Sequence, residues 1–207
     1  MSQVIVRFVG TDDPEMLHID ELGREIFQRI SGEELLKIVS HAYGNERASK
    51  PIFINNEEII AHGPSSVAIV QKQRKRIVTY QNKAYNIAFP NSFYVLSFVS
   101  GSVKKITAFA FCEWEGLDTK LYQYPMPNML YSNDLCMGTA DKKIKDKDYI
   151  QALENITYAI YTHSTVNGIK SFKDTATYFE YLEQNDFPYH LLLPLKNTIK
   201  DYVEVLT

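Results

Sequence analysis

The segment Lys105 to Trp114 carries apolar side chains on both of its alternating sets of positions. Ile106, Ala108 and Ala110 fall on one face of an extended chain, with Thr107, Phe109 and Phe111 on the other. A strand of that kind needs cover on both sides, so it belongs inside a sheet that is packed above and below. Ser100-Gly101-Ser102 just before it suits a hairpin, and Phe93 to Val99 supplies the partner strand. Upstream, Ser66 to Gln71 and Arg76 to Tyr80 read as strands flanking the basic turn Lys72-Gln73-Arg74-Lys75, which is expected as a solvated hairpin tip. Leu121 to Tyr124 is a further short strand before Pro125.

Around this β-rich middle the pattern changes. Val4 to Val9 reads as a strand, and Leu17 to Ile30, although Leu22, Ile26 and Ile30 fit a helix, is assigned to strands. Ser31 and Glu34 have the form of a capping box, and Leu35, Leu36, Val39 and Ala42 recur at helical spacing until Gly44. A helix over Gly32 to Tyr43 is therefore expected. A second is expected with Ile150, Leu153, Ile156 and Ile160 on one face, and a third over Phe172 to Gln184, closed by Asn185 and Pro188. The fold class is α+β, an antiparallel meander with helices segregated to its ends. No repeat or Pro/Gly-rich linker splits the chain, so residues 1–30 are read as a β extension and 31–207 as one domain.

Composition narrows the function. Of 207 residues, 45% are hydrophobic and 23% charged, which fits a soluble protein with a sizeable core. The formal charge of −3 gives no overall electrostatic case for nucleic acid or an acidic membrane. No apolar run approaches the ~18 residues of a membrane helix, and Met1-Ser2-Gln3-Val4 lacks the pattern of a signal peptide. Two cysteines without metal-like spacing fit free thiols in a reducing compartment, so a cytoplasmic location is expected.

The chemistry concentrates in Met126-Pro127-Asn128-Met129-Leu130-Tyr131-Ser132-Asn133-Asp134-Leu135-Cys136, where a Pro-Asn pair stands eight residues ahead of a cysteine followed by Met137-Gly138. A cysteine thiol can accept an acyl group from another cysteine with little change in free energy, and needs no metal or organic cofactor to do so. Attack on such a thioester by a lysine amine builds negative charge on the carbonyl oxygen. A fixed amide donor there is worth roughly 3–4 kcal/mol in a measured case. Asn128 is a candidate for that role, or for holding the loop through its backbone. Asp134, two residues before Cys136, would raise the thiol pKa if close. That disfavours an activated thiolate but not a carrier whose acyl group arrives activated.

The other chemistry-bearing residues have plainer readings. Cys112, mid-strand among Phe109, Phe111 and Trp114, is expected as a buried, inert thiol. His163 extends the apolar stripe of the second helix, where a histidine is either a hydrogen-bonded core residue or a catalyst. His18, His41, His62 and His190 have no partners at ligand spacing. HExxH, a Cys/His zinc pattern, a P-loop and GxGxxG are all absent, so no metal or cofactor is expected. A Cys136–His163 hydrolase lacks any family signature such as Cys-Gly-x-Cys-Trp.

The Pro127-Asn128 pair, Leu135 and Cys136 resemble in register the active-site segment of ubiquitin-conjugating enzymes, with Met126 where that family has a histidine. The surroundings look closer to prokaryotic ubiquitin-conjugating family D, which includes protein B of the PRTRC cassettes. The resemblance runs through Asn91 to Leu96, Ile106 to Ala110, Leu121 to Asn128, Cys136, Gly138 and Thr162-His163, within roughly Ile77 to Pro194. It implies a ubiquitin-conjugating-like fold in which Cys136 carries a ubiquitin-like protein as a thioester. It also implies catalytic roles for Asn128 and His163, with His163 orienting or deprotonating the incoming amine or supporting the cysteine loop. The implied partners are a ubiquitin-like modifier, an adenylating activating enzyme and a JAB-type peptidase of the same pathway. The alternative is a catalytically inactive interaction module of the same fold.

Overall fold

A computed structural model describes residues 6–7, 15–19, 24–31, 34, 52–53, 58–130, 133–158 and 160–206. The chain divides into two compact units, Met1–Ser49 and Lys50–Thr207. The expected boundary at residue 30 falls inside the first.

In the first unit, β1 (Val6–Arg7), β2 (Glu15–Ile19) and β3 (Glu25–Arg29) form an antiparallel sheet in the order β1-β2-β3. Strands are what the sequence led us to expect there. The Ser31 capping box also forms: Glu34 N–H donates to Ser31 Oγ at 3.2 Å, and Glu34 Oε2 accepts from Ser31 N at 3.0 Å. Glu34 is helical, and the rest of the helix expected over Gly32 to Tyr43 lies outside the described residues.

The second unit is built on a sheet of β4 (Ile52–Phe53), β5 (Ile59–His62), β6 (Ser66–Gln71), β9 (Ser92–Val99), β10 (Ser102–Ala110), β11 (Lys120–Gln123) and β13 (Pro194–Thr198). Its order is β13-β11-β10-β9-β6-β5-β4, and every neighbouring pair is antiparallel. The β9–β10 hairpin turns through Ser100 and Gly101 at φ of 50° and 69°, the positive pair that a type I′ turn requires. A smaller sheet holds β7 (Arg74–Tyr80) and β8 (Lys83–Phe89) as a hairpin turned at Gln81-Asn82, with β12 (Ile160–Tyr161) parallel to β7.

The two-faced burial expected of β10 is present. Val103, Ile106, Ala108 and Ala110 enter one core cluster, and Phe109, with Phe111 just beyond the strand, enters the other. β6 divides in the same way, Val67 and Ile69 against Ala68 and Val70. The first cluster also takes Leu153 and Ile156 of helix α1 (Tyr149–Thr157) and Tyr178, Phe179 and Leu182 of α2 (Thr175–Gln184), with Val78, Tyr80 and Ile87 of the small sheet. The second takes Ile199 and Val203 of α3 (Ile199–Val203). Each such side chain contributes roughly 1.5–3 kcal/mol by leaving water. The class is α+β, as expected, with few and short helices.

Several expectations need correction. β6 and β7 do not pair across the basic turn, because β5 and β9 occupy both edges of β6 and β7 pairs with β8 instead. The turn is a crossing between sheets, and Arg74 is no solvated tip: it binds Glu154 at 3.2 Å and Glu58 at 3.4 Å. β10 stops at Ala110: Phe111 N–H still donates to Asn91 O at 3.0 Å, but Asn91 N–H turns to the Tyr189 hydroxyl at 2.8 Å and does not return the bond. Cys112 is therefore half-buried beyond the strand, not buried within it. The second helix also ends early. Asp148 caps its start by accepting from Gln151 N at 2.8 Å, but Tyr158 closes it, and Ile160 is a strand residue with 66% of its surface exposed. His163 consequently lies on no helix.

Candidate functional site

The loop bearing the cysteine begins from a buried anchor. Tyr124 and Met126 are both buried, and the Tyr124 hydroxyl lies 2.8 Å from that of Tyr94. Burial pushes the Tyr124 phenol well above its ordinary pKa, with neighbouring tyrosines adding to the effect. Met126 is fully enclosed and serves packing. Gly168 presses on the loop from the other side, at φ +84°, where a Cβ would stand 2.6 Å from Tyr124 O. Only glycine meets both demands.

Beyond Met126 the chain doubles back on itself. Met129 and Leu135 form an antiparallel bridge, Leu130 N–H donates to Asp134 O, and Cys136 N–H donates to Asn128 O, both at 2.7 Å. The eight-residue spacing noted in the sequence is thus that of a small hairpin in which Asn128 and Cys136 face each other. Its outer limb is fixed to β10 by Leu135 N–H to Ile106 O at 2.8 Å and by a bridge between Thr107 and Asp134. The Asp134 carboxylate is engaged there by Lys105 Nζ and Thr107 Oγ1, each at 3.1 Å.

Asn128 holds φ +64°, a conformation asparagine tolerates better than most residues. Its side chain is spent on the backbone of the next segment. Oδ1 accepts from Thr162 N and His163 N, both at 3.1 Å, and Nδ2 approaches Ile160 O at 3.4 Å. The amide acts as a neighbouring strand would, tying the Cys136 hairpin to the edge of β12.

Cys136 is half-buried and opens on a cleft of about 450 Å³. Asn128, Thr139, Thr162 and Gly138 give its polar part, and Met137, Ala140, Ile156 and Ile160 its apolar walls. Among the described residues, no charged one lines it. His163 is brought beside Asn128 through its backbone, but its ring is not among the cleft's lining groups. Ile156, Ile160 and Thr162 were missed by sequence reasoning as wall residues, since nothing in a local pattern announces that a helix end and an edge strand converge on a distant loop. Among the described residues, no group of three His, Cys, Asp or Glu is placed to hold a metal ion, and no helix is long and apolar enough to cross a membrane.

The chain was compared with models of known protein families, with characterised proteins and with solved structures, and nothing matched.

Proposed function

We propose that this chain is a ubiquitin-conjugating-like thioester carrier, working in a reducing cytoplasm on a ubiquitin-like modifier. The Cys136 thiol attacks the thioester joining the modifier to its adenylating enzyme. A new Cys136 thioester forms and the enzyme's own thiol is released. A target lysine amine then attacks that carbonyl, giving an amide and returning the thiol. A JAB-type peptidase would reverse the product. The observation that carries the reading is the opposition of Asn128 and Cys136 across one hairpin, with the thiol opening on an uncharged cleft. Such a cleft can receive a slim peptide end without burying an unpaired charge. The motif resemblance supports it from the sequence side.

Purified protein, the activating enzyme, the modifier and ATP provide the test. The expected result is a reductant-sensitive mass increase on Cys136 that moves to added lysine. No adduct, with the activating enzyme shown to be charged, overturns the carrier. Two observations favour an inactive interaction module instead: the Asn128 amide is committed to backbone, and the His163 ring is not on the cleft. Such a module would keep its function in Cys136→Ala. The same position of the His163 ring weighs against a Cys–His hydrolase.

A further inference from the structure

Thr175, the first residue of α2, is fully buried. The helix does not use its hydroxyl, because Asp174 supplies the cap, accepting from Thr177 N at 2.9 Å and Thr177 Oγ1 at 3.1 Å. A buried hydroxyl needs a partner. The buried residues Ser92, Thr119 and Thr157 find theirs close by in the chain, at Pro90 O, Gly116 O and Leu153 O. Thr175 reaches instead to a separate segment: its Oγ1 donates to His163 O, twelve residues back, at 2.8 Å. Its own N–H donates to Ser164 O at 3.0 Å.

From His163 the hydrogen bonds run on to the cysteine. His163 N–H donates to Asn128 Oδ1 at 3.1 Å, and Asn128 O accepts from Cys136 N–H at 2.7 Å. Both polar groups of the His163 backbone are thus taken, one by the cysteine hairpin and the other by the helix. The residues after it run antiparallel to the approach to α2, through a bridge between Thr165 and Asp174 and through Val166 N–H to Lys173 O at 3.1 Å. Before it, Tyr161 meets Phe179 of α2 edge to face, with ring centroids 5.4 Å apart. The segment held in this way carries Ile160 and Thr162, which wall the cleft that Cys136 opens on.

We propose that Thr175 is a positioning residue of the Cys136 site, its hydroxyl fixing, through His163 and Asn128, how the thiol stands against the wall of Ile160 and Thr162. Thr175 does not line the cleft and acts only through this chain of bonds. Its effect on acyl transfer rests on the carrier reading, since a reacting carbonyl must meet the thiol within a fraction of an ångström of the productive place. Its effect on the accessibility of the thiol is independent of that reading.

Three variants of the full chain test it. Thr175→Val keeps the shape of the side chain and removes the hydroxyl, whereas Thr175→Ser keeps the hydroxyl. Thr119→Val is the matched control, an equally buried threonine whose bond goes to Gly116 O. With folding checked by circular dichroism, labelling by iodoacetamide is timed at Cys136 by mass spectrometry. It should quicken about tenfold in Thr175→Val, on the order of one hydrogen bond lost, and stay unchanged in Thr175→Ser and Thr119→Val. Equal quickening in the two valine variants, or no rescue by serine, would overturn the proposal. Loading from the charged activating enzyme should lose about tenfold in kcat in Thr175→Val with KM little changed, and normal loading would refute the positioning role. Failure of the unaltered protein to load would count against the carrier alone, and the labelling would still decide Thr175. If Thr175→Val does not fold, native-state hydrogen exchange of the unaltered protein decides. The amides of Thr175, His163 and Cys136 should then share one dependence on urea, and separate dependences would overturn the link.

Discussion

Cys112 and Cys136 are both half-buried and both free thiols, yet their surroundings differ in kind. Cys112 follows the buried Phe111 where β10 ends, and its carbonyl accepts from Asn91 Nδ2 at 3.0 Å. It looks into a hollow of about 210 Å³ shared with Glu113, Glu115, Lys120 and Tyr122. Cys136 sits opposite Asn128 on a hairpin and faces a cleft of about 450 Å³ with no charged residue among its described lining. An acyl group on Cys112 would lie against two carboxylates, and attack on it would build negative charge beside them. Burial does not separate the two thiols. What separates them is the charge around each and the backbone that presents it.

The largest expected effect tests that difference directly. Cys136→Ala should abolish the reductant-sensitive adduct, whereas Cys112→Ala should leave its yield unchanged, both read by mass spectrometry of the loaded protein. An adduct that persists in Cys136→Ala and maps to Cys112 would break the comparison.

Gly168→Ala acts on one side only. The new Cβ would lie 2.6 Å from Tyr124 O and 3.2 Å from Pro125 Cα, at φ +84°, and backbone on both sides leaves little room to give. A loss of about 2–4 kcal/mol is expected in urea denaturation. In the surviving native state, alkylation of Cys136 should quicken more than that of Cys112. Equal quickening would mean that Gly168 supports the whole unit rather than the cysteine hairpin.

How much of this was legible in the sequence follows from the range of the forces involved. β10 and its hairpin could be read because alternation and a Ser-Gly turn are local, and the Ser31–Glu34 box likewise. The Asn128–Cys136 spacing was visible, although its meaning as a two-limbed hairpin was not. β8 passed unseen, since Lys83, Ala84 and Asn86 face outward and blur its apolar set. The second helix was drawn too long because Ile160 and His163 continue its period. What ends it is tertiary: Asn128, more than thirty residues away, takes the backbone of Ile160 to His163 into its own hydrogen bonds. Periodicity cannot register a competitor that distant. The same long-range contact turned His163 from a helical position into a backbone donor at the site.

Asn128 itself gives a smaller and more selective effect. Asn128→Gly keeps the left-handed conformation but loses the three side-chain contacts, a cost of about 1–2 kcal/mol at an exposed position. Asn128→Ala adds roughly 1 kcal/mol for placing a Cβ at positive φ. If the amide is a positioning group, both variants should slow loading and lysine discharge alike, with alanine the slower. Discharge slowed far more than loading would instead assign the amide to the carbonyl oxygen in the transfer step.

The smallest expected change belongs to the other thiol. Tyr122 shares a hollow with Cys112, and the neighbouring thiol, ahead of partial burial, holds the phenol above its ordinary value near 10. Raised in the folded state, the phenol contributes stability at neutral pH that fades as the pH climbs past about 10. Cys112→Ala should therefore lower the Tyr122 titration toward 10, while Cys136→Ala leaves it in place, as read by NMR of labelled tyrosine. Movement in both variants would mean that the two thiols are coupled through the sheet between them. Movement in neither would place the Tyr122 hydroxyl away from Cys112 in solution, leaving that thiol with only charged neighbours.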